Sequence, residues 1–254
     1  EPKIDGILDD DVWKKAIAVS DFIQNMPYQG AAATQKTEVR IAYDDAAIYV
    51  GAMMYETAPD SILQELGNRD DQGLNADKFR FVIDPYLKMQ DAYEFSVYAS
   101  GVQTDTRFSD WTYNGIWYSA VKILDNGWSV EMKIPYFTIR FPSTEIQKWG
   151  LQFTRDIRRT RTFEQWCLTP GGQANPQKFW GTLEGISGIK SPLRLSLTPY
   201  LSGYLENAPI YNSNGSTSYS TFTSYNAGAD IKYGIDERFT LDMTLLPDFG
   251  QVQS

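Results

Sequence analysis

The feature that most constrains this chain is a two-residue rhythm of apolar and polar side chains, repeated almost from end to end. Successive side chains of a strand point to opposite faces, so such a rhythm marks half-buried β-structure. Val39, Ile41 and Tyr43 share one face of Thr37–Tyr43, and Phe79, Phe81 and Ile83 one side of Asp77–Asp84. Phe95, Val97 and Ala99 do the same in Tyr93–Ser100, and Trp149, Leu151 and Phe153 in Trp149–Asp156. Ala47–Glu56 is almost wholly apolar, as expected of a central sandwich strand. Trp117–Leu124 and Gly127–Ile134 flank Asp125, Asn126 and Gly127, an Asn-Gly hairpin signal. Glu164–Leu168 and Trp180–Ile186 complete the set.

Helical periodicity is confined to Asp9–Ala18, where Asp9, Asp10 and Asp11 suit the positive end of a helix dipole and Val12, Trp13 and Ala16 pack inward. Short strands without a βαβ rhythm predict a two-sheet antiparallel β-sandwich over residues 1–190.

Past Pro192 the pattern changes. Leu193, Leu195, Leu197, Leu201 and Leu205 alternate with Arg194, Ser196, Thr198 and Ser202. Tyr225, Ala227, Ala229, Ile231 and Tyr233 alternate with Asn226, Gly228, Asp230 and Lys232, and Phe239, Leu241, Met243 and Leu245 with Arg238, Thr240, Asp242 and Thr244. Each segment has the roughly 9–11 residues with which a tilted strand crosses a bilayer. Tyr225 and Tyr233 bracket one apolar face, as interfacial girdles do. Residues 206–222 read as a long Asn/Ser/Gly/Thr loop and Gly234–Glu237 as a tight turn, matching long outer loops and short periplasmic turns. Residues 191–254 are therefore expected to be the first strands of a transmembrane β-barrel in the outer membrane. The sandwich would lie on the periplasmic side, and the rest of the barrel beyond Ser254. An ordinary sheet with one wet face also alternates.

Composition narrows the chemistry. Of 254 residues, 42% are hydrophobic and 14% aromatic, enough for a sizeable core and too many for a disordered chain. The net charge of −9 argues against nucleic acid as a partner, because phosphate binding needs a cationic face. There is no histidine, which removes Ser-His-Asp and Cys-His nucleophiles and His-ligated zinc or haem. Carboxylate chemistry and oxygen-ligated calcium remain. Cys167 is the one cysteine, so there is no intrachain disulfide, and it reads as a small buried hydrophobe. Arg155, Arg158, Arg159 and Arg161 form the one dense basic patch, a charged loop or strand edge, or else an anion clamp. No apolar run reaches transmembrane-helix length, and Glu1, Pro2 and Lys3 do not open a signal peptide.

Ile4, Asp5, Gly6, the acidic run Asp9–Asp11 and Trp13 form a signature that resembles the start of family 9 carbohydrate-binding modules. There, a first strand leads into a short helix whose Trp packs under the sheets. The segments Asp77–Asp84, Gly127–Pro135, Trp149–Arg155 and Pro176–Leu183 extend the resemblance to about Ile189. The two-part arrangement, with Leu246–Val252, is similar to Gram-negative outer-membrane proteins in which such a domain precedes a barrel.

The resemblance implies a terminal sugar held between two Trp faces, with polar groups orienting its hydroxyls. Leu74 and Gln173 stand at those two places in this chain. Trp111, Tyr113 and Trp117, with Asn114 nearby, offer a substitute platform in a loop-like stretch, and Gln173 joins them as a candidate ligand contact. Sandwich-core packing is the competing reading for these aromatics, above all for Trp117 at a strand start, and Trp13, Trp128 and Trp149 read as core outright. The resemblance also implies structural Ca²⁺, for which Asp70, Asp71 and Asp77 around Gly73 are the candidate ligands, although no cofactor is required.

The expected function is thus a non-catalytic module that binds a glycan or oligosaccharide, or serves as a periplasmic scaffold or plug, attached to a barrel. A glycoside hydrolase with paired carboxylates roughly 5–10 Å apart is the alternative. Haem, carried by some sandwich relatives, would need an axial ligand such as Met53 or Met54.

Overall fold

The computed structural model describes residues 1–190, 194–211, 215–234 and 240–245, and the chain divides into two units, Glu1–Ser191 and Pro192–Ser254. In chain order the first unit comprises α1 (Asp11–Lys15), β1 (Ala18–Val19), β2 (Ile23–Met26), β3 (Thr37–Tyr43), β4 (Ala47–Tyr55), β5 (Lys78–Asp84), β6 (Tyr93–Tyr98) and β7 (Gln103–Arg107). It continues with β8 (Tyr118–Leu124), β9 (Gly127–Pro135), β10 (Ile146–Ile157), β11 (Thr162–Gln165) and β12 (Gly181–Ser187).

These strands build two antiparallel sheets. The five-stranded sheet has the order β1-β3-β4-β9-β8; the seven-stranded one runs β2-β11-β10-β5-β6-β7, with β12 also paired to β10. The alternating residues named above meet between them. Ile48, Val50, Ala52 and Met54 of β4 and Trp128, Val130, Met132 and Ile134 of β9 form one core with Phe79, Phe81, Phe95, Val97, Trp149 and Phe153 of the facing sheet. The rings of Phe81 and Phe153 lie 5.9 Å apart and nearly parallel. Aromatic pairs at such separations add to the area-based stabilisation.

β4 is apolar throughout because it is covered on both faces. Its outward Tyr49 and Ala47 pack with Trp13 of α1. The N-terminal signature is fastened there by one buried carboxylate in β9. Glu131 accepts hydrogen bonds from Asp5 N (2.9 Å), Gly6 N (2.8 Å) and Trp13 Nε1 (2.7 Å). Burial pushes its pKa up. Gly6 has φ +86°, and a Cβ on it would stand 2.7 Å from the Val121 carbonyl carbon, so only glycine fits. The helix is shorter than the periodicity indicates, because Ala16 is already extended (ψ 140°) and the chain enters β1.

The Arg patch resolves into separate structural contacts. Arg155, fully buried in β10, donates to Lys36 O (3.2 Å), Thr37 Oγ1 (3.2 Å) and Tyr55 O (2.8 Å), tying the two sheets together. Arg159 pairs with buried Glu56 at 2.5 Å. Arg158 Nε donates to Asn75 Oδ1 at 3.2 Å.

The second unit is a three-stranded antiparallel sheet, β13 (Arg194–Tyr211), β14 (Thr217–Gly234) and β15 (Thr240–Leu245), in that order. Its register places apolar residues in rows: Leu195 opposite Tyr233 opposite Leu241, and Leu197 opposite Ile231 opposite Met243. Leu201 pairs with Ala227, and Ala229 with Leu245. The long-loop reading of residues 206–222 is corrected here. Glu206 pairs with Phe222, and pairing continues to Tyr211 and Thr217. Thr, Tyr and Phe suit a pleated surface, and ladder hydrogen bonds satisfy the backbone of both arms. The three strands form an open sheet. Pro192, Leu193, residues 235–237 of the expected turn, Arg238, Phe239 and the segment 246–252 lie outside the described residues.

Candidate glycan site

A cavity of about 740 Å³ lies against β6 and β7, bounded by the 70–72 and 106–114 segments; its lining includes Gln72, Glu94, Thr106, Phe108, Trp111 and Asn114. Pockets of roughly 300–1,000 Å³ accommodate drug-sized ligands.

The aromatic wall is built from the chain upward. Arg107 closes β7 and its guanidinium pairs with Asp91 at 2.7 Å, while Ser109 N donates to the same carboxylate at 3.1 Å. Asp110 then accepts from Thr112 N (3.0 Å) and Thr112 Oγ1 (2.7 Å), an Asx-type turn that leaves the Trp111 side chain outside the core. Trp111 is 87% exposed, an unusual state for so large an apolar ring. Tyr113 is half-buried, packs edge-on to Tyr93 at 5.3 Å and donates its hydroxyl to Thr138 O at 2.9 Å. Burial pushes its pKa up, so it stays a neutral donor.

The loop is anchored at its far end by Asp105. This buried carboxylate accepts from Gly115 N (2.7 Å) and Trp117 Nε1 (3.0 Å) and pairs with Arg69. Arg69 in turn donates to Gly115 O (2.7 Å) and Gln103 Oε1 (2.6 Å). Asp70 Oδ1 accepts from Asp105 N at 3.2 Å. One carboxylate thus joins both loops that bound the cavity. On the sheet face, Glu94 Oε1 accepts from Ser96 Oγ (2.9 Å) and lies 3.4 Å from Arg80 Nε. Lys78, buried beside the Tyr98 ring, donates to Gln72 Oε1 at 2.9 Å, and burial lowers its pKa to about 8.

Trp111, Tyr113 and Asn114 line this cavity together. Trp117 does not present a face to it: the ring is 3% exposed and packs edge-on to Phe95 at 5.4 Å. Gln173 is exposed and is not among the lining residues. Leu74 is buried in a small cluster with Ala76 and Tyr98, so it cannot serve as a sugar platform. The three candidate calcium ligands make separate contacts. Asp71 Oδ1 accepts from Gly73 N (2.9 Å), Asp70 turns to Asp105 N, and Asp77 Oδ1 accepts from Arg158 N (3.0 Å). Burial raises the Asp77 pKa to about 6. Among the described residues no three His, Cys, Asp or Glu side chains gather where they would hold a metal ion. Met53 and Met54 are both buried within β4, and Cys167 is half-buried with its pKa raised by burial.

Sequence reasoning missed Asp105, Arg69, Gln72 and Glu94. A usable signal for Asp105 is its register: it faces the core opposite Phe95, where an unpaired charge would be costly.

Residues 4–184 match the carbohydrate family 9 binding domain-like family. The chain belongs to that family. The signature that opens its family 9 domain, Ile4 to Trp13, is the segment that Glu131 fastens to the five-stranded sheet. Residues 191–254 match a domain of unknown function (DUF5916). Among solved structures, the family 9 carbohydrate binding module of Caldicellulosiruptor kristjanssonii in complex with cellotriose is 20% identical, with a TM-score of 0.52, over 74% of this chain and 92% of that one. The same organism's module in complex with glucose is 20% identical, with a TM-score of 0.53, over 76% of this chain and 96% of that one. At this identity the likeness is one of fold. No curated protein matches the chain.

Proposed function

We propose that the family 9 domain is a non-catalytic glycan-binding module that takes its ligand in the cavity beside Trp111. The observation that carries this reading is the exposed Trp111 ring at a cavity that also offers Gln72, Thr106, Thr112 and Asn114. An indole face stacks on the apolar C–H face of a pyranose, and amides and hydroxyls at its edge orient the sugar hydroxyls. Relatives of the same fold hold cellotriose and glucose, which makes these the first ligands to try.

The test is intrinsic tryptophan fluorescence, titrated with cellotriose and glucose. Saturable change in the native chain, absent in Trp111→Ala, is the expected result. A flat titration in the native chain with every glycan tried leaves only a scaffolding or plug role.

We further propose that the Pro192–Ser254 strands belong to an outer-membrane β-barrel, with the family 9 domain on the periplasmic side. Support comes from the in-register apolar rows, in which Leu201 is 79% exposed and Tyr225 76% exposed. A contiguous apolar sheet face is costly in water and favoured in lipid. Fractionation of cells making the full-length protein tests this: recovery in the soluble periplasmic fraction would exclude it.

A further inference from the structure

The ten residues that line the cavity include three carboxylates, Asp70, Glu94 and Asp105, and neither lysine nor arginine. The balancing cations stand behind the wall. Arg69 is occupied by Asp70 at 3.5 Å, Asp105, Gln103 and Gly115, and Arg80 by Glu94 at 3.4 Å and Asp156 at 2.5 Å. Lys78, buried to 3% exposure, is held by Gln72 Oε1 at 2.9 Å. Asp105 is fully engaged by three donors. Glu94 differs: its contacts with Ser96 and Arg80 both fall on Oε1. Its side chain is 22% exposed, and it lines the cavity.

We propose that this cavity selects sugars carrying a protonated amine over neutral sugars and disfavours uronic acids, with Glu94 as the specificity-determining residue. The proposal rests on the glycan-binding reading above. An ammonium group has donors only, so it needs acceptors such as the Glu94 carboxylate. The face of Trp111 also attracts a cation through its ring quadrupole. A uronate needs a guanidinium or ammonium facing it, and the lining offers none. Like charges brought together across a partly desolvated surface lower affinity and discriminate between ligands.

The experiment is a fluorescence titration of the native chain at pH 6 and low salt with three trisaccharides: a glucosamine trimer, cellotriose and a galacturonic acid trimer. The amine is expected to bind at least about tenfold tighter than cellotriose, a difference of about 1.4 kcal/mol, and the uronate more weakly than both. Raising the salt should narrow the spread through screening. Glu94→Gln should compress the series, and Glu94→Ala, with the same compression expected, provides a second variant at the same residue if Glu94→Gln fails to fold. Equal or tighter binding of the uronate overturns the proposal, as does an unchanged order in a folded Glu94→Gln. Binding of cellotriose without any charge order overturns this selectivity alone. Silence toward all three overturns the glycan reading with it.

Discussion

Trp117 Nε1 donates to Asp105 Oδ1 at 3.0 Å, inside the wall of the cavity whose outer surface carries Trp111. Two tryptophans six positions apart in one loop therefore do opposite work: one ring is spent on holding the wall, the other is left for a ligand.

That division gives a paired mutational test. Trp111→Ala should leave stability within about 0.5 kcal/mol, as surface substitutions do, while abolishing the fluorescence response to cellotriose. Trp117→Phe keeps an aromatic ring but removes the Nε1 donor and part of the buried indole, and should cost about 2–3 kcal/mol in urea unfolding.

Asp105→Ala strips the acceptor from Gly115 N, Trp117 Nε1 and Arg69 at once. Removing one partner of a fully buried charge pair costs about 3–5 kcal/mol, and because Arg69 keeps 35% of its side chain exposed the loss should lie toward the lower end. The midpoint of urea denaturation should fall accordingly, and limited proteolysis should open first within residues 107–117.

Glu131→Ala leaves the backbone amides of Asp5 and Gly6 and the indole of Trp13 without their acceptor. At about 1–3 kcal/mol for each buried unsatisfied group, the loss should reach about 3 kcal/mol or more. Amide exchange should locate it, with residues 4–13 losing protection before β4 and β9.

Asp77 gives a pH dependence of defined sign. Its folded pKa of about 6 lies above the ordinary aspartate value of about 3.9, so the folded state holds the proton more tightly. The contribution to stability is then full below about pH 4 and lost as pH rises through about 6. Native minus Asp77→Asn unfolding free energy should fall by about 2–3 kcal/mol across that window. A difference that stays level from pH 4 to 7 would show that burial does not shift this group.

On the second unit, the two faces should respond differently to charge. If these strands cross the outer membrane as proposed, Leu201→Lys falls in the lipid-facing apolar rows, where a lysine at mid-bilayer costs about 2–4 kcal/mol, and should reduce recovery in the membrane fraction. Thr198→Lys, on the alternate face opposite Asp230, should be tolerated. Equal effects would argue for a sheet in water on both sides.

The sandwich strands were legible because their inward positions are large and apolar at period two. Phe79, Phe81 and Ile83, or Trp149, Leu151 and Phe153, need no partner to reveal a buried face. The edges were not legible. β1, β2 and β7 went unread because they are short or polar, and the pairing of the first two depends on partners further along the chain: Val19 with Val39, and Ile23 with Gln165. The far half of the β13–β14 hairpin was hidden for a related reason. Its Ser, Thr and Asn residues resemble a loop until a register pairs them.

The sequence by itself determined that this chain is predominantly β with one short N-terminal helix, that its patterning changes near Pro192, and that Trp13, Trp128 and Trp149 belong inside. These are local matters of side-chain period and hydrophobicity. Only the tertiary structure decided the role of each polar residue, because a carboxylate is defined by the donors that surround it. It made Asp105 and Glu131 anchors, turned Asp70, Asp71 and Asp77 toward separate partners, and buried Trp117 while leaving Trp111 outside. The site is therefore a product of register and loop closure, which bring Arg69, Glu94, and Asp105 with Trp111 to one place from three separate stretches of the chain.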